Sequence, residues 1–292
     1  MTTIGLARSW LYAPGHRADL VRKALDGPAD AVVVDLEDAV PPAHKEQARE
    51  SARATCDARP GEVWVRINGA DTGWADGDAA ELTGSGAAGL RVPKAEDPAT
   101  AVAIAERTGL PLHLLIESAR GLRQVFELAE CHPLIVGVSP GETDLAADLR
   151  IRDRRELAWA RARIVTANRA AGLPSPIASV WTDLSDTTGL ADDSAALRGA
   201  GFFGRSVIHP AQVEPVHRAF TPDRDEVERA RALLGSLDVA GDSSAWVDDR
   251  GRFVDPAVVA GARWVAELAD ALDDTPDDHD EPAGARPGRS NA

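Results

Sequence analysis

The stretch that decides the fold is "AVVVDLEDAV", from Ala31 to Val40, in which four apolar residues are followed by three carboxylates. A short apolar run without alternating polar residues predicts a strand that is buried on both faces, as in parallel sheets. Carboxylates at the buried end of such a strand are costly to desolvate unless a cation or hydrogen-bond donors compensate them. The stretch therefore predicts a parallel sheet with a charged site where its strands end.

Similar apolar runs recur along the chain and alternate with segments that carry helix signals. The helix predicted over 97–109 has Asp97 as N-cap, Pro98 at its first position and Gly109 after its last turn. This alternation predicts a (β/α)8 TIM barrel, with a doubly wound sheet as the alternative. No G-x-G-x-x-G follows the first run, which favours the barrel. The eight predicted strands are 9–14, 31–36, 63–68, 89–94, 111–118, 134–139, 176–181 and 202–209.

The chain divides into three predicted parts. Residues 1–235 are expected to form the barrel. Residues 236–272 read as a loop or small hairpin followed by an amphipathic helix, which a barrel does not need and which could be a lid or an oligomer arm. Residues 273–292 are rich in acidic residues, proline and glycine, and we expect them to be a disordered tail.

Composition narrows the class of protein. The 292 residues carry a formal net charge of −15, so a nucleic-acid partner, which needs clustered Lys and Arg, is not expected. No apolar run reaches the length of a membrane span and no secretory signal is evident, so we expect a cytoplasmic protein without a membrane partner. The two cysteines, Cys56 and Cys131, form no C-x-x-C motif, which argues against a disulfide framework or a zinc site.

Charged residues follow almost every predicted strand. In a barrel these positions gather at one mouth, where the chemistry of this fold is found. Several carboxylates around one point favour a divalent cation, and oxygen ligands suit Mg²⁺. Arg66, Lys94 and Arg17 would then balance an anionic substrate, since arginine can grip a carboxylate through two N–H groups. The residues that follow the strands are Arg17; Asp35, Glu37 and Asp38; Arg66 and Asn68; Lys94; Glu117; Glu142, Asp144 and Asp148; Asp183; and His209.

Seven segments occur in a characteristic order and spacing: "RSWLYAPGHR", "DAVVVDLEDAVPPAHKEQAR", "VWVRING", "LRVPKAED", "LLIESARGL", "DLAADL" and "GFFGRSVIHPAQVEPVHRAFTP". Together they resemble the citrate lyase β-subunit-like (HpcH/HpaI aldolase) family, relatives of the malyl-CoA and citramalyl-CoA lyases. The resemblance covers about residues 8 to 234, and "DRGRFVDPAVVAGAR" at 249–263 resembles the C-terminal lid of longer members.

The resemblance implies a Mg²⁺-dependent TIM barrel that cleaves or forms a C–C bond between a 2-oxo acid and an acyl-CoA. It implies that Glu117 and Asp144 bind the metal and that Arg66 holds the oxo acid. It implies that Asp255, from a neighbouring subunit of a homotrimer or hexamer, is the catalytic acid or base. Glu37 and Asp38 would hold metal-bound waters.

Structural roles compete with several of these assignments. Arg66 could pair with Glu37 or Asp38, Asp255 could be a helix N-cap before Pro256, and His209 could lie near CoA or only form a turn. Arg17 could meet an anionic ligand or only occupy the first turn of a helix.

At the sixth strand end the chain reads Gly-Glu-Thr-Asp-Leu from residue 141, where many family members read G-A-E-D-L. Asp144 keeps the ligand position, but Glu142 is displaced by one residue. In an extended chain that displacement turns its side chain to the opposite face, so Glu142 need not compensate.

Three other functions remain open at this stage: a citrate lyase β subunit acting on an acyl carrier, a thioesterase acting on malyl-CoA, and a non-catalytic CoA-ester-binding protein. The displaced glutamate motivates the last of them.

Overall fold

The computed structural model describes residues 4–237, 245–248 and 251–273. By its internal contacts the chain forms two compact units, Met1–Thr221 and Pro222–Ala292. This division falls before the helix at 224–235, whereas the sequence analysis placed that helix with the barrel. The predicted acidic tail, 273–292, lies outside the described residues apart from the backbone of Asp273.

The first unit is built on a seven-stranded sheet in which all neighbours run parallel, in the order β6-β5-β4-β3-β2-β1-β7. Its strands are β1 (Ser9–Pro14), β2 (Ala31–Asp35), β3 (Val63–Arg66), β4 (Gly89–Val92), β5 (Leu112–Ile116), β6 (Ile135–Pro140) and β7 (Arg205–Val207). Its helices are α1 (Ala18–Leu25), α2 (Lys45–Ala58), α3 (Ala75–Leu82), α4 (Pro98–Thr108), α5 (Ala119–Arg123), α6 (Val125–Glu130), α7 (Glu142–Leu149), α8 (Ala158–Ala170), α9 (Thr187–Gly199) and α10 (Val213–Phe220).

The sheet is curled, so that side chains from strands far apart in its order meet inside it. Arg91 of β4 donates a hydrogen bond to Ser206 Oγ of β7 over 3.1 Å. Trp10 of β1 packs against Trp64 of β3, with ring centroids 5.3 Å apart, and lies 5.9 Å from the ring of His113 in β5. The concave side is therefore a filled core rather than a pore, as expected for this type of sheet.

The predicted seventh strand, 176–181, does not form, so the sheet has seven strands instead of the eight of a closed barrel. In the segment 176–181, only Ala178 makes a β-bridge, to Arg205 of β7. On the side facing β6, the amide of Ile177 donates to the side-chain Oγ of Ser139 at 2.7 Å instead of to a backbone carbonyl. Pro176 also lacks the N–H that a strand ladder needs. The structure therefore shows a seven-stranded curled parallel sheet and not a complete eight-stranded barrel.

Helix α4 begins and ends where the sequence predicts. Asp97 accepts a hydrogen bond from the amide of Thr100, Pro98 is the first helical residue, and Gly109 caps the end in the left-handed conformation with φ of 66°. This cap satisfies backbone groups that the helix cannot pair internally.

The second unit contains helices α11 (Arg224–Gly235) and α12 (Pro256–Asp273) and the hairpin strands β8 (Trp246–Val247) and β9 (Phe253–Val254). The two strands pair antiparallel, which confirms the predicted hairpin. Helices α11 and α12 pack on each other, and Arg231 forms an ion pair with Asp270 at 2.5 Å. No described helix is both long and apolar enough to cross a bilayer.

Gly89→Ala is expected to destabilise the first unit. A Cβ at Gly89 would lie 2.3 Å from the Trp64 ring and 2.7 Å from the Pro111 carbonyl oxygen, so the buried strand would have to shift. Overpacking of this kind costs about 1–3 kcal/mol. Urea denaturation of Gly89→Ala measures the decrease in the free energy of unfolding. Gly73→Ala is the matched control, because a Cβ there would meet no atom within 4 Å. Equal midpoints for the two variants would contradict this packing.

Candidate active site at the strand ends

Arg66 is the centre of the charged cluster at the carboxyl ends of the strands. In the register of the sheet it lies opposite Asp35 of the neighbouring strand. Its Nε donates to Asp35 Oδ1 at 2.7 Å and its Nη2 to Asp35 Oδ2 at 2.6 Å, a bidentate pair. Burial disfavours the charge on Arg66, but Asp35 holds the pKa of the guanidinium well above its usual value. The Arg66 guanidinium therefore keeps its positive charge, and Asp35 fixes its orientation.

The other acids of the opening stretch lie around the same guanidinium. Glu37 Oε2 is 3.0 Å from Arg66 Nη1, and the exposed Asp38 is 3.5 Å from that nitrogen. Lys94 Nζ lies 3.6 Å from Glu37 Oε1. Burial raises the pKa of Glu37 to about 7 although Arg66 opposes the shift. Arg66 thus does pair with Glu37 and Asp38, as the structural alternative foresaw, while remaining at the strand ends.

Glu117 follows β5 and is the most perturbed carboxyl group of the cluster. Burial, and then the charge of Glu37, raises the pKa of Glu117 to about 8. Its Oε2 accepts a hydrogen bond from the backbone amide of Lys94 at 2.9 Å. A Cβ at Gly141 would lie 2.4 Å from Glu117 Cγ, so only glycine there leaves room for this side chain.

Asp144 and Glu142 take different roles in the first turn of α7. Asp144 is exposed, and it is near enough to Glu117 for its charge to contribute to the raised pKa of that group. Glu142 is buried and accepts two hydrogen bonds from Arg161, each at 2.7 Å, and one from Arg154 Nη2 at 2.9 Å. Glu142 is therefore committed to two arginines and does not stand in for the displaced family glutamate.

The cluster fits a hard divalent cation. Buried carboxyl groups whose pKa values are raised by desolvation and by each other gain when a cation balances them. The described residues hold no group of three or more His, Cys, Asp or Glu side chains arranged as a metal site. Mg²⁺ is commonly bound by one or two carboxylates plus waters and substrate oxygens, which is the donor set that Glu117 and Asp144 can offer.

Arg17 and His209, both predicted to bind substrate, make local contacts. Arg17 is exposed and forms a bidentate pair with Asp19, both distances being 2.9 Å. His209 is exposed and accepts a hydrogen bond from the amide of Ala211 at 3.1 Å, which caps a short 3-10 turn. Their proposed roles toward a ligand stay predictions.

Asp255 lies in the second unit, directly before α12. Its Oδ1 accepts hydrogen bonds from the amides of Ala257 and Val258 at 3.0 Å each, so the residue caps the helix. The structural alternative is thus realised, and an additional catalytic role remains a prediction.

The sequence analysis assigned no role to a buried lysine that supports the cluster. Lys45, at the start of α2, donates to the carbonyls of Leu36 and Glu37 at 2.7 Å each and to Asn68 Oδ1 at 2.6 Å. Asn68 in turn donates through Nδ2 to Asp78 at 2.6 Å. These contacts hold the turn that carries Glu37. No periodicity in the sequence marks Lys45 as buried.

The sequence between residues 8 and 210 matches the family described as HpcH/HpaI aldolase/citrate lyase. The chain belongs to this family.

Proteins similar to this chain are named for more than one activity. The citrate lyase subunit beta of Leuconostoc mesenteroides subsp. cremoris is 32% identical over 91% of this chain and 94% of its own. The (3S)-malyl-CoA thioesterase of Cereibacter sphaeroides is 34% identical over 91% of this chain and 95% of its own.

A solved structure extends the likeness to the fold. The CitE protein of Mycobacterium tuberculosis in complex with magnesium, acetoacetate and coenzyme A is 29% identical and matches with a TM-score of 0.80. The match covers 91% of this chain and 100% of that chain. Magnesium in that relative supports a Mg²⁺ dependence in the family.

Glu142→Gln is expected to lower the free energy of unfolding by on the order of 3 kcal/mol at neutral pH, because two partly buried arginines lose their carboxylate. Burial raises the pKa of Glu142, but Arg161 and Arg154 together hold it below its usual 4.5. The stabilisation is therefore present above pH 4.5 and is lost as pH falls through the lower folded-state pKa.

Urea denaturation at several pH values tests this. The difference in free energy of unfolding between the wild type and Glu142→Gln should disappear as the pH falls below 4.5. Glu156→Gln, at an exposed position two residues from Arg154, should have nearly the wild-type free energy of unfolding at every pH. A difference that persists in acid would show that the carboxylate charge is not the cause.

Proposed function

We propose that this protein is a Mg²⁺-dependent CoA-ester lyase of the malyl-CoA or citramalyl-CoA type. It would cleave or form the C–C bond between a 2-oxo acid and an acyl-CoA. The observation that carries the proposal is the Arg66 guanidinium, fixed by Asp35 beside the buried Glu117 at the strand ends. A fixed arginine beside a cation-binding carboxylate is suited to a small acid with a carboxylate and a neighbouring oxygen.

Glu117 and Asp144 are the residues that would hold Mg²⁺. When bound there, the metal would act as a Lewis acid toward the oxygen next to the substrate carboxylate. Arg66 would bind that carboxylate through the N–H groups that Asp35 does not use, in exchange for the contacts of its Nη1 with Glu37 and Asp38. Glu37 would hold metal-bound water, while Lys94 adds positive charge beside it.

Proton transfer needs a further residue. Retro-aldol cleavage removes a proton from the substrate hydroxyl and returns one to the thioester α-carbon. We propose Asp255 for this step, contributed by a neighbouring copy in a homotrimer or hexamer, and we propose a cytoplasmic location for the protein. The family resemblance supports these points.

A thioesterase is the second candidate, because the Cereibacter sphaeroides relative bears that name at 34% identity. The two activities share a substrate and differ in the bond that is broken. A lyase breaks the C–C bond, whereas a thioesterase adds water across the thioester.

The deciding experiment incubates the protein and Mg²⁺ with malyl-CoA and with citramalyl-CoA, and identifies products by mass. A lyase releases acetyl-CoA with glyoxylate or pyruvate, and a thioesterase releases free CoA with the intact hydroxy acid. Asp144→Asn should reduce turnover at least about a hundredfold through loss of a metal ligand. Asp148→Asn is the matched control, because Asp148 lies on the same helix but accepts from the amide of Ala119.

Wild-type turnover in Asp144→Asn would contradict the ligand assignment. The absence of both product sets, with no Mg²⁺-dependent binding of pyruvate, would contradict both the lyase and the thioesterase.

Asp255→Asn is expected to lower kcat by about 10²–10⁴-fold, the usual contribution of a general acid or base. Asparagine still accepts hydrogen bonds as an N-cap, so α12 should keep its stability. Steady-state kinetics, Mg²⁺ titration and sedimentation separate the roles. An unchanged rate, or a loss of rate only through dissociation of subunits, would make Asp255 a structural residue.

A further inference from the structure

Two guanidinium groups lie over the ring of Tyr12. Arg66 Cζ is 5.0 Å from the ring centroid, and Arg91 Cζ is 5.5 Å from it. Arg91 Cζ also lies 5.2 Å from the ring of Trp10. Trp10 and Tyr12 are two residues apart in β1 and therefore face the same side of the sheet. Arg66, Tyr12, Arg91 and Trp10 are therefore linked by three cation–π contacts.

Arg91 is the buried and immobile member of this group of four side chains. Its side chain is buried at 1% exposure, it donates to Ser206 Oγ at 3.1 Å, and it rests on the faces of Trp10 and Tyr12. A guanidinium can be tolerated in such a place when aromatic faces and hydrogen bonds replace part of its hydration. Because Arg91 is buried and held by these contacts, it restricts the position of the Tyr12 ring that it touches.

Ion pairs and the Tyr12 ring together define the direction of the Arg66 guanidinium, whose Nη1 also lies 3.0 Å from Glu37 Oε2. Asp35 fixes two of its nitrogens within the plane of the group. An ion pair of this kind still permits the plane to tilt about the line that joins the two groups. The Tyr12 face restricts that tilt, because a guanidinium over an aromatic ring is held against its face.

We propose that Tyr12 is a positioning residue of the oxo-acid site, which sets the plane of the Arg66 guanidinium so that the N–H groups that Asp35 does not use face the substrate carboxylate. The proposal rests on the proposed function, since it assumes that Arg66 binds a small oxo acid. The ring does this work for Arg66, while the hydroxyl interacts with Arg91. Tyr12→Phe should therefore behave like the wild type, while a residue of similar bulk without an aromatic face should not.

The test measures binding of pyruvate in the presence of Mg²⁺ by calorimetry, using the full chain. Tyr12→Leu should weaken pyruvate binding about tenfold, the size expected for loss of one cation–π contact to a desolvated guanidinium. Tyr12→Phe should stay within about twofold of the wild type on the same reasoning. Mg²⁺ binding without pyruvate should be unchanged in both. In turnover, KM for the oxo acid should rise more than kcat falls.

Phe126→Leu is the matched control. Phe126 is half-buried like Tyr12 and lies 4.9 Å from Arg163 Cζ, a cation–π pair between α6 and α8. It should leave pyruvate binding unchanged. Tyr12→Met is a second non-aromatic variant, used if Tyr12→Leu does not fold, and thermal unfolding verifies each protein.

Tyr12 is the only tyrosine of the chain, so ring-labelled tyrosine gives a single NMR resonance. Pyruvate with Mg²⁺ should shift that resonance in the wild type and not in Arg66→Lys.

Three results would overturn the proposal. The first is wild-type pyruvate affinity in a folded Tyr12→Leu or Tyr12→Met variant. The second is equal weakening in Phe126→Leu, which would point to general loosening of the fold. The third is a Tyr12→Phe variant as weak as Tyr12→Leu, which would assign the effect to the hydroxyl. If the wild type binds no pyruvate with Mg²⁺, the proposed function itself fails, and this proposal fails with it.

Discussion

The bidentate pair between Arg66 and Asp35 is the interaction on which the candidate site depends. The Asp35 side chain is 1% exposed and that of Arg66 14%, so removing Arg66 would leave the buried charge of Asp35 without its cation, at a cost of about 3–5 kcal/mol. Asp35 also accepts hydrogen bonds from the amides of Glu37 at 2.9 Å and Ala39 at 3.1 Å. One carboxylate thus orients the cation and shapes the turn that carries the next acid. This explains why acidic residues directly follow a buried apolar strand.

The sequence predicted those parts of the fold that depend on local chemistry. The bounds of β1 match the apolar run at 9–14, and α4 follows from its cap and proline. The segment at 176–181 has the same apolar character but does not become a strand of the sheet. Whether such a run pairs on both edges depends on backbone groups far along the chain, which its own residues do not reveal.

The site was predictable to a similar degree. Parallel strands end at one edge, so Arg66, Glu37, Lys94 and Glu117 could be expected to lie together. The burial of Lys45 could not be predicted, because it depends on how the start of α2 packs against the turn that carries Glu37.

The family departure at Glu142 has a structural explanation. The sequence analysis treated this region as extended chain, whereas helix α7 already begins at Glu142. In a helix, residues two apart point to different sides, so Glu142 turns into the protein toward Arg161 while Asp144 remains exposed. Glu142 therefore anchors the start of the helix that carries the predicted metal ligand Asp144. Because its own charge is balanced by Arg154 and Arg161, it adds no unpaired negative charge at the strand ends.

Lys94 is one of two described non-glycine residues with positive φ, at 50°. Side chains other than glycine, asparagine and aspartate enter this backbone region reluctantly. The same residue offers its amide to Glu117. Backbone geometry therefore limits substitution at residue 94 before side-chain charge does: arginine would keep the charge and the strain, whereas glycine would remove the strain and keep the amide. A β-branched residue would add to the strain.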